Sequence, residues 1–271
     1  MDRPSGSEAR RDDPPSSATG PARPEATTAA PPEPVQRWRL TFAREPVASD
    51  RVGKVALDEW QATLAASGLP IAVTPGTPGR ARLAIAAPLA AAASGERELA
   101  DIWLVQRRAA WEVREGLAPV LPTSHRWIGA EDIWLGAAAL VGQVAAADWR
   151  IVPAGDRWSD EDADRLRRGA VSLNAARSIP RVRLKGTSER RYDLRPLLGD
   201  VAIEGRDRTG PGDGPPPAIL ARTRFDHELG AGRPDEVVAA LADASGLEIT
   251  IASMKRVGLV LIADLPRRHP G

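Results

Sequence analysis

The sequence predicts an α+β fold with antiparallel sheets and helices packed on the sheet faces, and three observations carry that prediction. Short runs of alternating or contiguous apolar residues recur from Trp38 to Ala263. Between them lie segments with helical apolar spacing, and Gly- and Pro-rich turns separate the two kinds. The order strand, helix, strand, strand, strand, helix, strand over the first half is close to the split βαβ pattern of ferredoxin-like folds. The second half repeats the plan loosely. The expectation is two ferredoxin-like α/β sandwich halves, residues 36–145 and 146–265, between an N-terminal tail (residues 1–35) and a frayed C-terminus (residues 266–271).

Residues 1–35 contain eight prolines and no aromatic residue, a composition that cannot bury enough apolar surface to offset ordering, and they read as a disordered tail. Trp38, Leu40 and Phe42 alternate with Arg39 and Thr41 as a half-buried first strand. Ser49 or Asp50 is expected to cap a helix over about residues 50–67, with Leu57, Trp60 and Leu64 as its stripe and Gly68 and Pro70 as its stop. A hairpin is expected from Pro70–Thr74 and Arg80–Ala86 around the Pro75–Gly79 turn. Ile102, Trp103, Leu104 and Val105 read as a strand buried on both faces, Ala110, Val113, Leu117 and Leu121 as a helix, and Trp127 and Ile128 as a strand.

In the second half, Trp149–Val152 reads as a strand, and Ser159 opens a helix with Asp160, Glu161 and Asp162 in its first turn, where acid suits the positive helix end. Strands are expected at Arg181–Lys185, Arg191–Leu194, Val201–Glu204 and Ile219–Phe225, with a Gly/Pro-rich loop over Arg206–Pro217. A last helix starts at Pro234 and stops at Gly246. Leu247, Ile249 and Ile251 alternate as a strand, and Gly258–Ala263 completes the sheet.

Composition excludes several chemistries. The chain has no cysteine among its 271 residues, which removes disulfides, thiolate zinc sites, iron–sulfur clusters and a cysteine nucleophile. With 37 basic and 36 acidic side chains, charge has to be read locally. Only Lys54, Lys185 and Lys255 are lysines, the signature of a GC-rich bacterial genome, so arginine abundance alone says little about nucleic acid. No apolar stretch approaches the roughly 18 residues of a membrane span, and no signal-peptide core precedes the first strand, so a cytoplasmic protein without membrane contact is expected.

His125, His227 and His269 are far apart in sequence, so no metal site is expected. Asp226, His227 and Glu228 read as a solvated strand end, and Gly76 and Gly79 as hairpin glycines rather than a phosphate loop. The strongest local charge spans Arg165 to Arg195, where ten basic residues stand against Glu189 and Asp193. Within it Arg181, Arg183 and Lys185 alternate with Val182 and Leu184, so a strand presents three cations on one face and buries the other two side chains. Such a row can track a phosphate backbone or an acidic protein surface, and equally be a solvated sheet face. Tyr192 and Asp193 read as structural.

Several stretches resemble the bacterial radical SAM-linked protein family (domain of unknown function 2344), found beside or fused to B12-binding radical SAM proteins. The resemblance covers about residues 36–265 and rests on the opening Trp38–Phe42 strand, Ser67-Gly68-Leu69-Pro70-Ile71-Ala72, Pro88-Leu89, Tyr192-Asp193-Leu194-Arg195-Pro196-Leu197-Leu198 and the run from Gly232 to Leu241. The chain departs from the family at two places. Val52-Gly53-Lys54-Val55 stands where the family has Ser-His-Leu-Asp, and Gly76-Thr77-Pro78-Gly79-Arg80-Ala81-Arg82 stands where it has Gly-Phe-Asn-Pro-His-Pro-Lys. Both family histidines are absent, which marks a divergent member.

The resemblance implies association with a B12-binding radical SAM protein and with RNA. The chain cannot itself be a radical SAM enzyme, because it lacks the cysteines a cluster needs. The expectation is therefore a non-catalytic accessory or RNA-binding partner, with no cofactor of its own. Its contact residues are expected to be Arg80, Arg82, Arg181, Arg183, Lys185, Arg190, Arg191 and Arg195. The competing expectations are an RNA- or cofactor-modifying enzyme with a site between the halves, and a degenerate structural scaffold.

Overall fold

The computed structural model describes residues 31–76, 79–155, 158–185, 188–205 and 216–265. The tail expected over residues 1–35 therefore lies outside the described residues up to residue 30, as do the frayed terminus from residue 266 and most of the Arg206–Pro217 loop. Val35, expected in the tail, already donates its backbone N–H to the Leu104 carbonyl.

In the first half, β1 (Gln36–Arg44), α1 (Lys54–Ala66), β2 (Leu83–Ile85), β3 (Ala93–Leu104), α2 (Ala110–Leu117) and β4 (His125–Ile133) follow one another. All three pairings are antiparallel, in the order β4-β1-β3-β2. The second half runs β5 (Val144–Pro153), α3 (Asp160–Ala175), β6 (Pro180–Lys185), β7 (Ser188–Asp193), β8 (Leu198–Glu204), β9 (Ala218–Asp226), β10 (Gly230–Ala231), α4 (Pro234–Ser245) and β11 (Ile251–Leu261). Its antiparallel order is β11-β5-β9-β8, so each half has the strand order of a ferredoxin-like unit. The halves share one nine-stranded sheet, because β11 also pairs in parallel with β3 over Met254–Arg256 and Ala93–Gly95.

Two cores lie against this sheet. Trp38, Leu40 and Phe42 on β1, with Ala100, Ile102 and Leu104 on β3, meet Trp60 and Leu64 of α1 and Val113 and Leu117 of α2. Trp149 and Ile151 on β5 and Ile219 and Ala221 on β9 meet Leu166, Ala170 and Leu173 of α3 and Val237, Val238 and Leu241 of α4. The helix ends follow their sequences. Ser159 and Asp162 form a reciprocal capping box at the start of α3, Pro234 opens α4, and Gly246 closes it in the left-handed conformation (φ 66°).

Several elements differ from the sequence expectation, among them β3, which begins at Ala93 rather than near Ile102, and the short β10, which was not expected. Ser49–Arg51 forms a short 3-10 turn instead of capping α1, which begins after Gly53, whose φ of 67° breaks the helical path. The hairpin after α1 is reduced to a single Val73–Ala81 bridge and the three residues of β2. Leu247 and Ile249 pack against the core from a loop, and β11 is one strand from Ile251. Finally, β6 and β7 pair only with each other, outside the main sheet, so Val182 is 52% exposed where burial was expected.

Candidate functional site

Four of the eight predicted cations, Arg80, Arg82, Arg181 and Arg195, have structural partners. Arg181 donates from Nε to Glu236 (3.3 Å) and from Nη1 to Asp243 (2.5 Å), both on α4. Its partial burial disfavours the charge, but the bonds to Asp243 and Glu236 outweigh this and hold its pKa above the ordinary arginine value. Arg195 donates to the Leu173 and Gly199 carbonyls. Arg80 pairs with Asp58 (2.9 Å) across the surface, and the Arg82 guanidinium lies 4.7 Å from the Trp103 ring centroid. Within the Arg165–Arg195 window, Arg181 is thus answered by two acids of α4 that lie 55 and 62 residues downstream.

Arg183 and Arg191 are different. Both are exposed, and neither has an ion-pair or hydrogen-bond partner among the described residues. In the hairpin register Val182 stands opposite Arg191, Arg183 opposite Arg190, and Lys185 opposite Ser188. The side chains of Leu184, Lys185 and Arg190 lie outside the described residues. Arg183, Arg191, Tyr192 and Arg233 line a recess of about 280 Å³ beside the hairpin. Burial, with Glu236 next to it, raises the Tyr192 phenol above its ordinary pKa. Asp193 is fixed as a turn acceptor for the Ile179 and Arg195 N–H groups, which hold its carboxyl below the usual range.

A second, larger cavity of about 490 Å³ lies where α1 crosses the sheet, walled by Phe42, Trp60, Ile85, Leu89 and Val52 among others. The alternation of β1 carries Arg44 onto the core face after Trp38, Leu40 and Phe42, and the alternation of β3 carries Glu98 there with Ala100, Ile102 and Leu104. Glu98 is taken by Arg256 of β11, which donates to both carboxylate oxygens and to the Ala87 carbonyl. Gly95 makes room for this pair, since a Cβ there would collide with the Glu98 carboxylate. Arg44, only 8% exposed, donates instead to the carbonyls of Leu89 (3.1 Å) and Ala93 (2.9 Å) and has no carboxylate partner among the described residues.

His125 completes this wall. Its ring lies 5.2 Å from Phe42 and 5.5 Å from Trp60, and its Nδ1 is 3.1 Å from Ser124 Oγ. Burial, helped by the Arg44 charge, lowers its pKa to about 4, so the ring is neutral at physiological pH. His227 is exposed beside Glu228, and His269 lies outside the described residues. Among the described residues no three metal-ligating side chains converge, and no helix is long and apolar enough to cross a membrane.

The cavity was missed by sequence reasoning, although the parity of Arg44 with Phe42 and of Glu98 with Ala100 was the available signal. The expected contact residues Arg183 and Arg191 come together at the smaller recess, whereas Arg80 and Arg82 belong to the first half.

No curated protein matches this chain. Among solved structures it is similar to a chain of the "Structure of H/ACA RNP bound to a substrate RNA containing 2'-deoxyuridine", with a TM-score of 0.38 and 9% identity, over 82% of this chain and 47% of that one. The chain thus spans about half the length of that relative, and a likeness of this size carries no argument about function. The family model of an "Uncharacterized protein conserved in bacteria" matches residues 60–256, which hold α1 from Trp60 onwards, the sheet strands other than β1 and the end of β11, and half of the residues that line the larger cavity. On that match, which spans well over half of its length, the chain belongs to the uncharacterized bacterial family DUF2344.

Proposed function

We propose that this protein is a non-catalytic accessory protein of the cytoplasm that contacts RNA through the β6–β7 hairpin and works beside a B12-binding radical SAM protein. The observation that supports the RNA contact is the pair Arg183 and Arg191, exposed and without partners among the described residues, next to Arg233 and the Tyr192 ring. Guanidinium groups free of carboxylates are available to phosphate oxygens, and an adjacent aromatic ring suits a base or ribose. The radical SAM association is what the family resemblance implies, and without cysteine none of these 271 residues can ligate an iron–sulfur cluster through a thiolate. The accessory reading is supported at the cavity too. Ser124 and His125 are the nearest approach there to a nucleophile and its base, yet a histidine with a pKa of about 4 is a poor base at neutral pH.

The test is RNA binding as a function of salt. Wild-type protein is expected to bind structured RNA at low salt. Arg183→Gln with Arg191→Gln should reduce the log-affinity against log-salt slope by about 2, at roughly 0.9 for each phosphate that is no longer neutralised. The thermal midpoint of the double variant should match wild type, since neither side chain holds the fold. No binding at low salt, or an unchanged slope, overturns the RNA contact.

A further inference from the structure

The larger cavity is a different kind of place from the hairpin surface, and it is read independently of the RNA contact. At about 490 Å³ it falls in the range of small-molecule sites, roughly 300–1,000 Å³. Its walls are mostly apolar, and Phe42, Trp60 and His125 stack edge to face along one side, which suits a flat ring.

Its charges do not cancel. Glu98 and Arg256 form one neutral pair, Arg51 and Glu59 at the rim form another, and His125 is neutral. Arg44 is left as one buried guanidinium whose acceptors among the described residues are the carbonyl oxygens of Leu89, Ala90, Ala91 and Ala93, and its Nε is buried without a hydrogen-bond partner among them. A buried cation compensated by carbonyl dipoles and by the charge of a Glu98 that is already paired with Arg256 is costly to maintain, and burial pulls the Arg44 pKa below its ordinary value. An anion beside it removes that cost.

We propose that this cavity is a binding site for a small carboxylate with an apolar, ring-sized body, its carboxylate meeting Arg44 and its body lying against Phe42 and Trp60. One negative charge balances the single uncompensated guanidinium, whereas a phosphate dianion would leave an excess charge near Glu98. The neutral His125 ring and the Ser124 hydroxyl line the same cavity and offer further polar contacts without adding charge. Ala56 on α1 lines it as well, and a large side chain there would occupy the space of the ligand.

The experiment is isothermal titration calorimetry of the full chain with 1-naphthoate, its neutral isostere 1-naphthamide, and 1-naphthyl phosphate. The expected result is one 1-naphthoate per chain, with 1-naphthamide weaker by about 10–100-fold for want of a charge-assisted bond, and 1-naphthyl phosphate weaker than 1-naphthoate. Arg44→Gln should erase the preference for 1-naphthoate over 1-naphthamide. Ala56→Trp should abolish binding of both while leaving the thermal unfolding midpoint within a few degrees of wild type. If Arg44→Gln fails to fold, the wild-type selectivity and Ala56→Trp decide the matter. No binding of 1-naphthoate, equal binding of the amide, or full binding by Ala56→Trp overturns the site. Tighter binding of the phosphate overturns the carboxylate assignment.

Discussion

The neutral His125 makes stability depend on pH in a window that few other groups of this protein share. In the unfolded chain its imidazole takes a proton near 6.5, whereas in the folded protein, buried against Phe42 and Trp60 and facing the Arg44 charge, it does so only at about 4. Between those values the unfolded state binds more protons, so its contribution is fully present above pH 6.5 and is lost as pH falls towards 4. At about 1.36 kcal/mol per pH unit the whole window is worth roughly 3.4 kcal/mol, reduced to about 2–3 because the ring is partly exposed. The assay is urea unfolding of wild type and His125→Phe at pH 7.5 and 4.5. Phenylalanine keeps the aromatic packing and cannot titrate. Asp193 and Asp226, whose carboxyls are held low by backbone N–H donors, contribute equally to both proteins and cancel in the comparison. Wild type should lose about 1.5–2.5 kcal/mol more than the variant over this interval. Parallel losses, or an NMR titration placing His125 near 6.5, would refute the reasoning.

Two further perturbations probe the fold around the cavity. Trp60→Ala, at a side chain only 2% exposed and in edge contact with Phe42, should cost about 3–5 kcal/mol in denaturant melts, and a near-neutral effect would mean that α1 does not hold the first core. Asp101→Asn removes the fully buried carboxylate shared by Arg37 and Arg39 across β1 and β3; an expected loss of about 3–5 kcal/mol would fall below about 1 if the Ala137 and Ala138 carbonyls alone sufficed for Arg37.

Local patterns carried most of the element assignments. Alternation at Trp38, Leu40 and Phe42, the box of Ser159 with Asp162, and the Pro234 to Gly246 frame each need only neighbours in sequence. What sequence reasoning missed is non-local. The first eight residues of β3, Ala93–Ala100, lie before the expected strand, since Ser94 to Glu98 break the apolar pattern and Arg256, the partner of Glu98, lies 158 residues away. For the same reason the Arg165–Arg195 charge was overstated: Arg181 is answered by Glu236 and Asp243 on a helix that the window does not contain. The family resemblance located the departures at Val52–Val55 and Gly76–Arg82, but the cavity beside Val52 and Gly53 becomes visible only when β1, α1 and the segment before β3 are brought together.

The junction of the halves shows why such buried charges belong in the fold. β11 meets β3 over only three parallel positions, Met254 to Arg256 against Ala93 to Gly95, a ladder too short to specify its own register. A slip of one residue would carry Arg256 to the opposite sheet face and leave Glu98 buried without a cation, at several kcal/mol. Correct pairing instead satisfies Glu98, seats Arg256 under the Ala87 carbonyl, and holds the chain before β3 where Leu89 and Ala93 offer their carbonyls to Arg44. The last strand of the second half therefore fixes one wall of a cavity in the first. A substitution at Arg256 would therefore disturb the cavity without lining it.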